Sequence, residues 1–70
     1  MEFFVPDTHL TRIKHTPDGQ TELTMLLEVG RPQVGDLLIS SADTWKVTKL
    51  VPRVGELRAL VRKTHNSRWR

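Results

Sequence analysis

The sequence predicts a small, soluble, all-β domain: a five-stranded antiparallel sheet closed or partly closed into a barrel. Turn-forming residues recur at short intervals, for example Pro17-Asp18-Gly19 and the pair Pro52 and Gly55. The segments between such turns run for about 6 to 10 residues and favour Thr, Val, Ile, Leu and Trp, which is typical of strands. No long helical stripe accompanies them, so the sheet must curl to bury one face of every strand.

Five main strands are expected, and residues 2–5 are a candidate short sixth strand. The five main strands are predicted at residues 9–15, 21–29, 36–41, 45–51 and 57–64. We expect residues 1–64 to form a single domain and residues 65–70 to form a basic C-terminal tail. A chain of 70 residues without cysteine has a thin core and no disulfides, so packing, or association with a partner or a second copy, must stabilise it.

The first hairpin is predicted in register. Thr16 to Gln20 suits a type I turn with Gly19 in the left-handed position. Pairing Thr16 with Gln20 places Lys14 opposite Glu22 as a cross-strand ion pair. One face is then apolar and the other polar. The apolar face collects Ile13, Leu23, Met25, Leu27 and Val29, and the outer face collects Arg12, Lys14, Glu22, Thr24 and Glu28.

The two C-terminal strands are predicted to carry a basic outer surface. Alternation puts Trp45, Val47 and Val51 on one face with Lys49, and Lys46, Thr48 and Leu50 on the other. On the last strand, Leu57, Ala59 and Val61 alternate with Arg58, Leu60 and Arg62. If Trp45, Val47, Ala59 and Val61 point inward, then Lys46, Arg58 and Arg62 share one outward surface.

The run from Val34 to Lys63 resembles a small SH3-like barrel. In that layout a glycine-aspartate turn, here Gly35-Asp36, opens one strand and a tryptophan, here Trp45, opens the next. The layout is similar to that of the nucleic-acid-binding C-terminal domains of retroelement integrases and to many unrelated SH3-like modules. The resemblance implies an SH3-like barrel, while the strand pattern itself leaves two alternatives open: an OB-like barrel with a short helix, and a two-layer sheet completed by dimerisation. It transfers no functional residue, because one fold hosts many activities.

Charge is sorted along the chain. Residues 1–44 hold three Lys or Arg against seven Asp or Glu, whereas residues 45–70 hold eight against one. A concentrated positive field attracts polyanions, because cations neutralise phosphates and an exposed tryptophan offers a face for base stacking. We therefore expect a non-catalytic nucleic-acid-binding module. The residues expected to bind are Lys46, Arg58, Arg62, Lys63, Arg68, Trp69 and Arg70.

Two other functions remain open at this point. One is a protein-binding adaptor or inhibitor, such as a small factor encoded by a phage or mobile element, that binds a larger protein. Sheet edges at residues 9–15 or 57–63 could accept a strand from such a partner. The other is a homo-oligomeric structural protein, such as a homodimer, held by the opposite charges of the two halves.

Other chemistry finds little support in the sequence. Trp45 is expected in the core, and Ser40, Ser41 and Asp43 are expected to satisfy the backbone of a turn. His9 and His15 are too far apart on one strand to share a metal ion, at about 20 Å, so we expect no metal and no cofactor. No catalytic motif is present, and we expect no enzyme.

The N-terminus lacks the pattern of a secretion signal and no apolar run is long enough for a membrane span, so we expect a cytoplasmic protein without a membrane partner.

Overall fold

A computed structural model of the chain describes residues 1–41 and 43–64. Six strands form one sheet, and two short 3₁₀ segments, Asp7–His9 and Leu27–Val29, follow the first and third strands. The strands are β1 Glu2–Phe4, β2 Leu10–His15, β3 Thr21–Met25, β4 Leu37–Ile39, β5 Thr44–Val51 and β6 Leu57–Lys63. The described residues contain no α-helix, so the all-β prediction is confirmed.

The sheet is mixed rather than purely antiparallel. Its order is β1-β4-β5-β6-β3-β2, and β1 pairs with β4 in parallel, with Phe3 opposite Leu38. The five predicted main strands are antiparallel to one another, as expected, and the candidate strand at residues 2–5 forms as a sixth, parallel to β4, so the sheet as a whole is not purely antiparallel. Phe3 and Val5 turn toward the core, and the Val5 N–H donates to the Ile39 carbonyl at 2.7 Å. The N-terminal segment thus forms a sixth strand, in which Phe3 and Val5 face the core.

The predicted register of the first hairpin is confirmed. Lys14 lies opposite Glu22 and Ile13 opposite Leu23. The same register predicts Thr11 opposite Met25, and that part is wrong, because a bulge between Leu10 and Arg12 pairs Leu10 with Met25. The strand predicted over 21–29 ends at Met25, because the chain enters the 3₁₀ segment Leu27–Val29. Leu27 is consequently 54% exposed. Had the strand continued to residue 29, Leu27 would have lain on its buried face.

One apolar cluster fills the inside of the curled sheet. Trp45, predicted to lie in the core, is 3% exposed, and the predicted inward face of β6 is buried at Ala59 and Val61. Ile13, also predicted to be buried, is 48% exposed because it belongs to an outermost strand. The cluster consists of Val5, Leu23, Met25, Leu38, Trp45, Val47, Ala59 and Val61.

The sheet curls into a half-barrel whose two outermost strands are β1 and β2. The expected sheet edge at residues 9–15 is confirmed for the described part of the chain, in which β2 pairs only with β3. The expected edge at 57–63 is wrong, because β6 lies between β5 and β3. Both backbone sides of β6 are therefore occupied, and its outward side chains stand in the middle of the sheet.

Candidate functional site

Lys46 and Arg62 face each other on the outside of the half-barrel. The register pairs Lys46 of β5 with Arg62 of β6. Their neighbours Trp45, Val47 and Val61 are buried, and strand alternation sends the residues between them to the opposite face. Cβ atoms of directly opposed residues lie roughly 4.5 to 5.5 Å apart. Two cations are thus held side by side, as the sequence predicted for this pair.

A bulge at Thr48 changes which lysine joins them. The register between β5 and β6 shifts between Val47 and Lys49, so that Lys49 lies opposite Leu60 and Leu50 opposite Ala59. An extra residue in one strand inverts the alternation beyond it. Lys49 and Val51 therefore lie on the outer face with Lys46, and the predicted grouping of Lys49 with Trp45 and of Leu50 with Lys46 is wrong.

Three further cations extend this surface across the sheet. Arg58 lies opposite both Val51 of β5 and Thr24 of β3, and Thr24 in turn lies opposite Arg12 of β2. Lys14 lies opposite Glu22 in the neighbouring row. We call the outward cations the basic face, consisting of Arg12, Lys14, Lys46, Lys49, Arg58 and Arg62. From β5 to β2 it spans about 14 Å, three inter-strand steps of about 4.8 Å.

Most members of the basic face have no acidic partner among the described residues. Ion pairs there join Asp36 to the N-terminal amino group, Glu56 to Arg53 and Arg58, and Asp43 to Lys63. The predicted ion pair between Lys14 and Glu22 does not form, although their register is as expected. Residues 1–64 hold nine Lys or Arg and eight Asp or Glu, so the uncompensated charge reflects placement rather than excess.

Arg58 is the member most tightly held. Its side chain is 21% exposed, and its Nη2 donates to Glu56 Oε2 at 3.0 Å. Its Nε is buried and has no hydrogen-bond partner within residues 1–41 and 43–64. Thr24, predicted on the outer face, is there but only 5% exposed, because Arg58 and Arg12 flank it and long side chains cover a short neighbour. Part of the Arg58 charge is therefore neutralised by Glu56.

Lys63 is placed apart from the other predicted residues. It lies opposite Trp45 at the end of β6, on the same side of the strand as Val61 and on the opposite side from Arg62. Its Nζ is 3.5 Å from Asp43 Oδ1. Arg68, Trp69 and Arg70, predicted to bind, lie outside the described residues, as does His65.

Phe4 is an exposed aromatic side chain that the sequence reasoning did not single out. It is 66% exposed and lies opposite Ile39, while its neighbours Phe3 and Val5 turn inward. The alternation of Phe3, Phe4 and Val5 was the available evidence for an outward Phe4. Phe4 stands on the outward side of β1, two strands from β5.

An open groove of about 540 Å³ lies at the end of the sheet beside Arg58. Leu27, Pro32, Leu50 and Leu57 contribute apolar area to it, and Arg31, Arg53 and Glu56 are among its polar lining residues. Because Glu56 pairs with both Arg53 and Arg58, this region is less positive than the basic face.

The remaining polar groups behave as structural elements. Ser40 Oγ donates to the Asp43 carbonyl at 3.0 Å and accepts from the Asp43 N–H at 3.1 Å, as predicted for a turn. Within residues 1–41 and 43–64, no three His, Cys, Asp or Glu side chains are grouped closely enough to hold a metal ion. In the same part of the chain, no helix has the length and apolar character needed to cross a bilayer.

Comparison with protein-family models, with curated proteins and with solved structures finds no match to this chain.

Proposed function

We propose that this chain is a non-catalytic module that binds nucleic acid through phosphate contacts on its basic face. The observation that carries the proposal is the opposed pair Lys46 and Arg62, which has no carboxylate partner among the described residues. Like charges placed directly opposite destabilise a sheet. A phosphate between the two side chains would remove that repulsion, and its binding would release counterions.

The binding surface has a centre and a periphery. Lys46, Arg62 and Lys49 form the centre, while Arg12 and Lys14 extend it across the sheet. Arg58 contributes in part, since Glu56 shares its charge. Lys63, Arg68, Trp69 and Arg70 are proposed to add contacts from the end of β6 and the C-terminal segment, with Trp69 stacking on a base or packing against sugar.

The architecture we propose for this module is an SH3-like barrel, with the OB-like barrel as the alternative. The layout from Val34 to Lys63 and the half-barrel curvature support it. A basic face about 14 Å wide reaches only a few phosphates. We therefore expect weak, sequence-independent binding, with dissociation constants on the order of 10⁻⁴ to 10⁻⁶ M at physiological salt.

The test is fluorescence anisotropy with labelled single-stranded and double-stranded oligonucleotides at about 50 and about 200 mM salt. For each phosphate contact, the rise in salt over that range should lower the affinity by a further factor of roughly three to four. Lys46→Gln combined with Arg62→Gln should remove two such contacts and flatten the salt dependence accordingly. Arg31→Gln is the control for the single substitution Lys46→Gln, because Arg31 lies in the loop before β4 and each of the two changes removes one positive charge.

Absence of binding by the unmodified protein at the lower salt concentration would refute the proposal. Equal losses from Arg31→Gln and from Lys46→Gln would also contradict it, since net charge rather than the basic face would then govern binding. Trp69→Ala tests the proposed stacking separately, and should weaken single-stranded binding more than double-stranded binding.

A further inference from the structure

Strand β2 leaves one side of its backbone unpaired in the described structure. It is the last strand of the sheet and pairs only with β3. The Thr16 N–H donates to the Gln20 carbonyl at 2.9 Å at the closed end of the hairpin. Because inward and outward backbone groups alternate along an antiparallel strand, Lys14 and Arg12 bond to β3, and the N–H and C=O groups of Ile13 and His15 face outward.

The side chains beside this edge have a definite pattern. Ile13 lies in the row of Leu23 and Ala59, and is 48% exposed. Arg12 and Lys14 lie on the opposite, outward side and have no ion-pair partner among the described residues. An added strand would therefore meet an apolar side chain on one face and two cations on the other.

This pattern disfavours pairing of β2 with itself. An antiparallel dimer centred on Ile13 would place Arg12 of one chain opposite Lys14 of the other, twice. Like charges directly opposite are destabilising, and charged side chains are a common way to protect a sheet edge from self-association. A strand carrying carboxylates at those positions would instead gain two cross-strand ion pairs.

We propose that the free edge of β2 accepts an extended segment of another protein, in which acidic residues alternate with apolar ones. The segment adds a seventh strand beside β2. Its acidic side chains lie opposite Arg12 and Lys14, and an apolar side chain lies opposite Ile13. Backbone hydrogen bonds to Ile13 and His15 supply affinity, and the charges supply selectivity. The inference does not rest on the nucleic-acid proposal, although both assign Arg12 and Lys14 to a binding surface.

The probe is a synthetic peptide of alternating glutamate and valine, compared with the same peptide carrying lysine in place of glutamate. When the peptide is titrated into the protein, the amide chemical shifts of Ile13 and His15 should change the most. The acidic peptide should bind roughly 2- to 30-fold more tightly than the lysine peptide, from two cross-strand charge pairs. Equal binding of the two peptides would overturn the proposal.

Backbone pairing is tested from both partners. Ile13→Pro removes an outward donor without removing a bond to β3, and proline is tolerated on edge strands, so peptide binding should be lost while Ile13→Val retains it. An acidic peptide N-methylated at its valines tests the same bonds with the unmodified protein, and should not bind. Binding of the N-methylated peptide, or a concentration-dependent dimer that the peptide does not dissociate, would contradict the proposal.

Discussion

Lys46 on β5 lies directly opposite Arg62 on β6, with no carboxylate within ion-pair distance among the described residues. Nearby, Lys63 has a partner in Asp43, with the two charged groups 3.5 Å apart. The sheet therefore tolerates a repulsive pair at its centre while relieving a cation at its end. That repulsion lowers the stability of the free protein and favours any anion that binds between the two side chains.

Lys46→Glu should raise stability and weaken nucleic-acid binding together. The substitution replaces a like-charge pair by an opposite-charge pair with Arg62, which is expected to raise the free energy of unfolding by about 1 kcal/mol. Urea denaturation measures the first effect and anisotropy the second. Lys49→Glu is the matched control: Lys49 faces Leu60 and lies only diagonally to Arg58 and Arg62, so it should weaken binding with a smaller gain in stability. A loss of stability in Lys46→Glu would mean that the repulsion is already relieved.

Glu56→Gln should strengthen nucleic-acid binding. Glu56 lies 3.0 Å from Arg58 Nη2 and 3.5 Å from Arg53 Nε, and the amide would leave both arginines with their full charge. Affinity for oligonucleotides should rise, and the salt dependence should steepen by roughly 0.9 for each phosphate gained. Glu28→Gln removes an equal charge from the 3₁₀ segment Leu27–Val29, and should change the affinity less. Equal gains from the two substitutions would show that net charge alone matters.

The first hairpin could be predicted from the sequence because its turn fixes its register. The turn from Thr16 to Gln20 determines which residues of β2 and β3 are opposite, and Ile13 does face Leu23. The positions of Lys46 and Arg62 followed from the buried alternation around Trp45 and Val61 in the same way. In each case a local pattern, with period two, was sufficient.

The predictions that were wrong concern features that depend on contacts between strands rather than on the sequence of one strand. The bulge at Thr48 could not be predicted from β5 alone. With or without it, residues 45–51 put apolar side chains on both faces of the strand, so the pairing with β6 decides whether the bulge forms. The parallel pairing of β1 with β4 joins segments about 35 residues apart. The ion pair of Lys63 with Asp43 depends on the pairing of β5 with β6, whereas period-two alternation alone already places Lys63 on the face of Val61 rather than on that of Arg62.

Gly30→Ala should destabilise the fold more than Gly19→Ala. Gly30 has φ 121° and ψ −150°, a region essentially restricted to glycine and costing about 1 to 3 kcal/mol for other residues. An added Cβ would also lie 3.0 Å from Phe3 Cε2, whereas a Cβ at Gly19, where φ is 87°, would have no atom of the described residues within 4 Å beyond its chain neighbours. Both variants carry backbone strain, so the difference between their unfolding free energies reports the contact with Phe3 together with the greater strain at Gly30. Equal losses would show that the Phe3 ring moves aside without cost.

The Asp36 carboxylate should contribute stability that is lost in acid. The Gln33 N–H donates to Asp36 Oδ2 at 2.8 Å, and this hydrogen bond, followed by the N-terminal amino group, lowers the pKa of Asp36 below its ordinary value of 3.8. A lowered folded-state pKa means that the stabilisation is complete above 3.8 and disappears as the pH falls through the folded-state pKa. Urea unfolding of Asp36→Asn and of the unmodified protein should therefore differ at neutral pH and converge in acid.

The pKa of Asp18 is lowered as well, first by the hydrogen bond from the Thr16 hydroxyl and then by that from Gln20. Asp36→Asn should accordingly keep part of the acid dependence, and the double variant Asp18→Asn with Asp36→Asn should keep less. Each variant changes a different turn, because Asp18 belongs to the first hairpin and Asp36 precedes β4. Curves for Asp36→Asn and the unmodified protein that run parallel over the whole pH range would show that the carboxylate has the same pKa in the folded and unfolded chains.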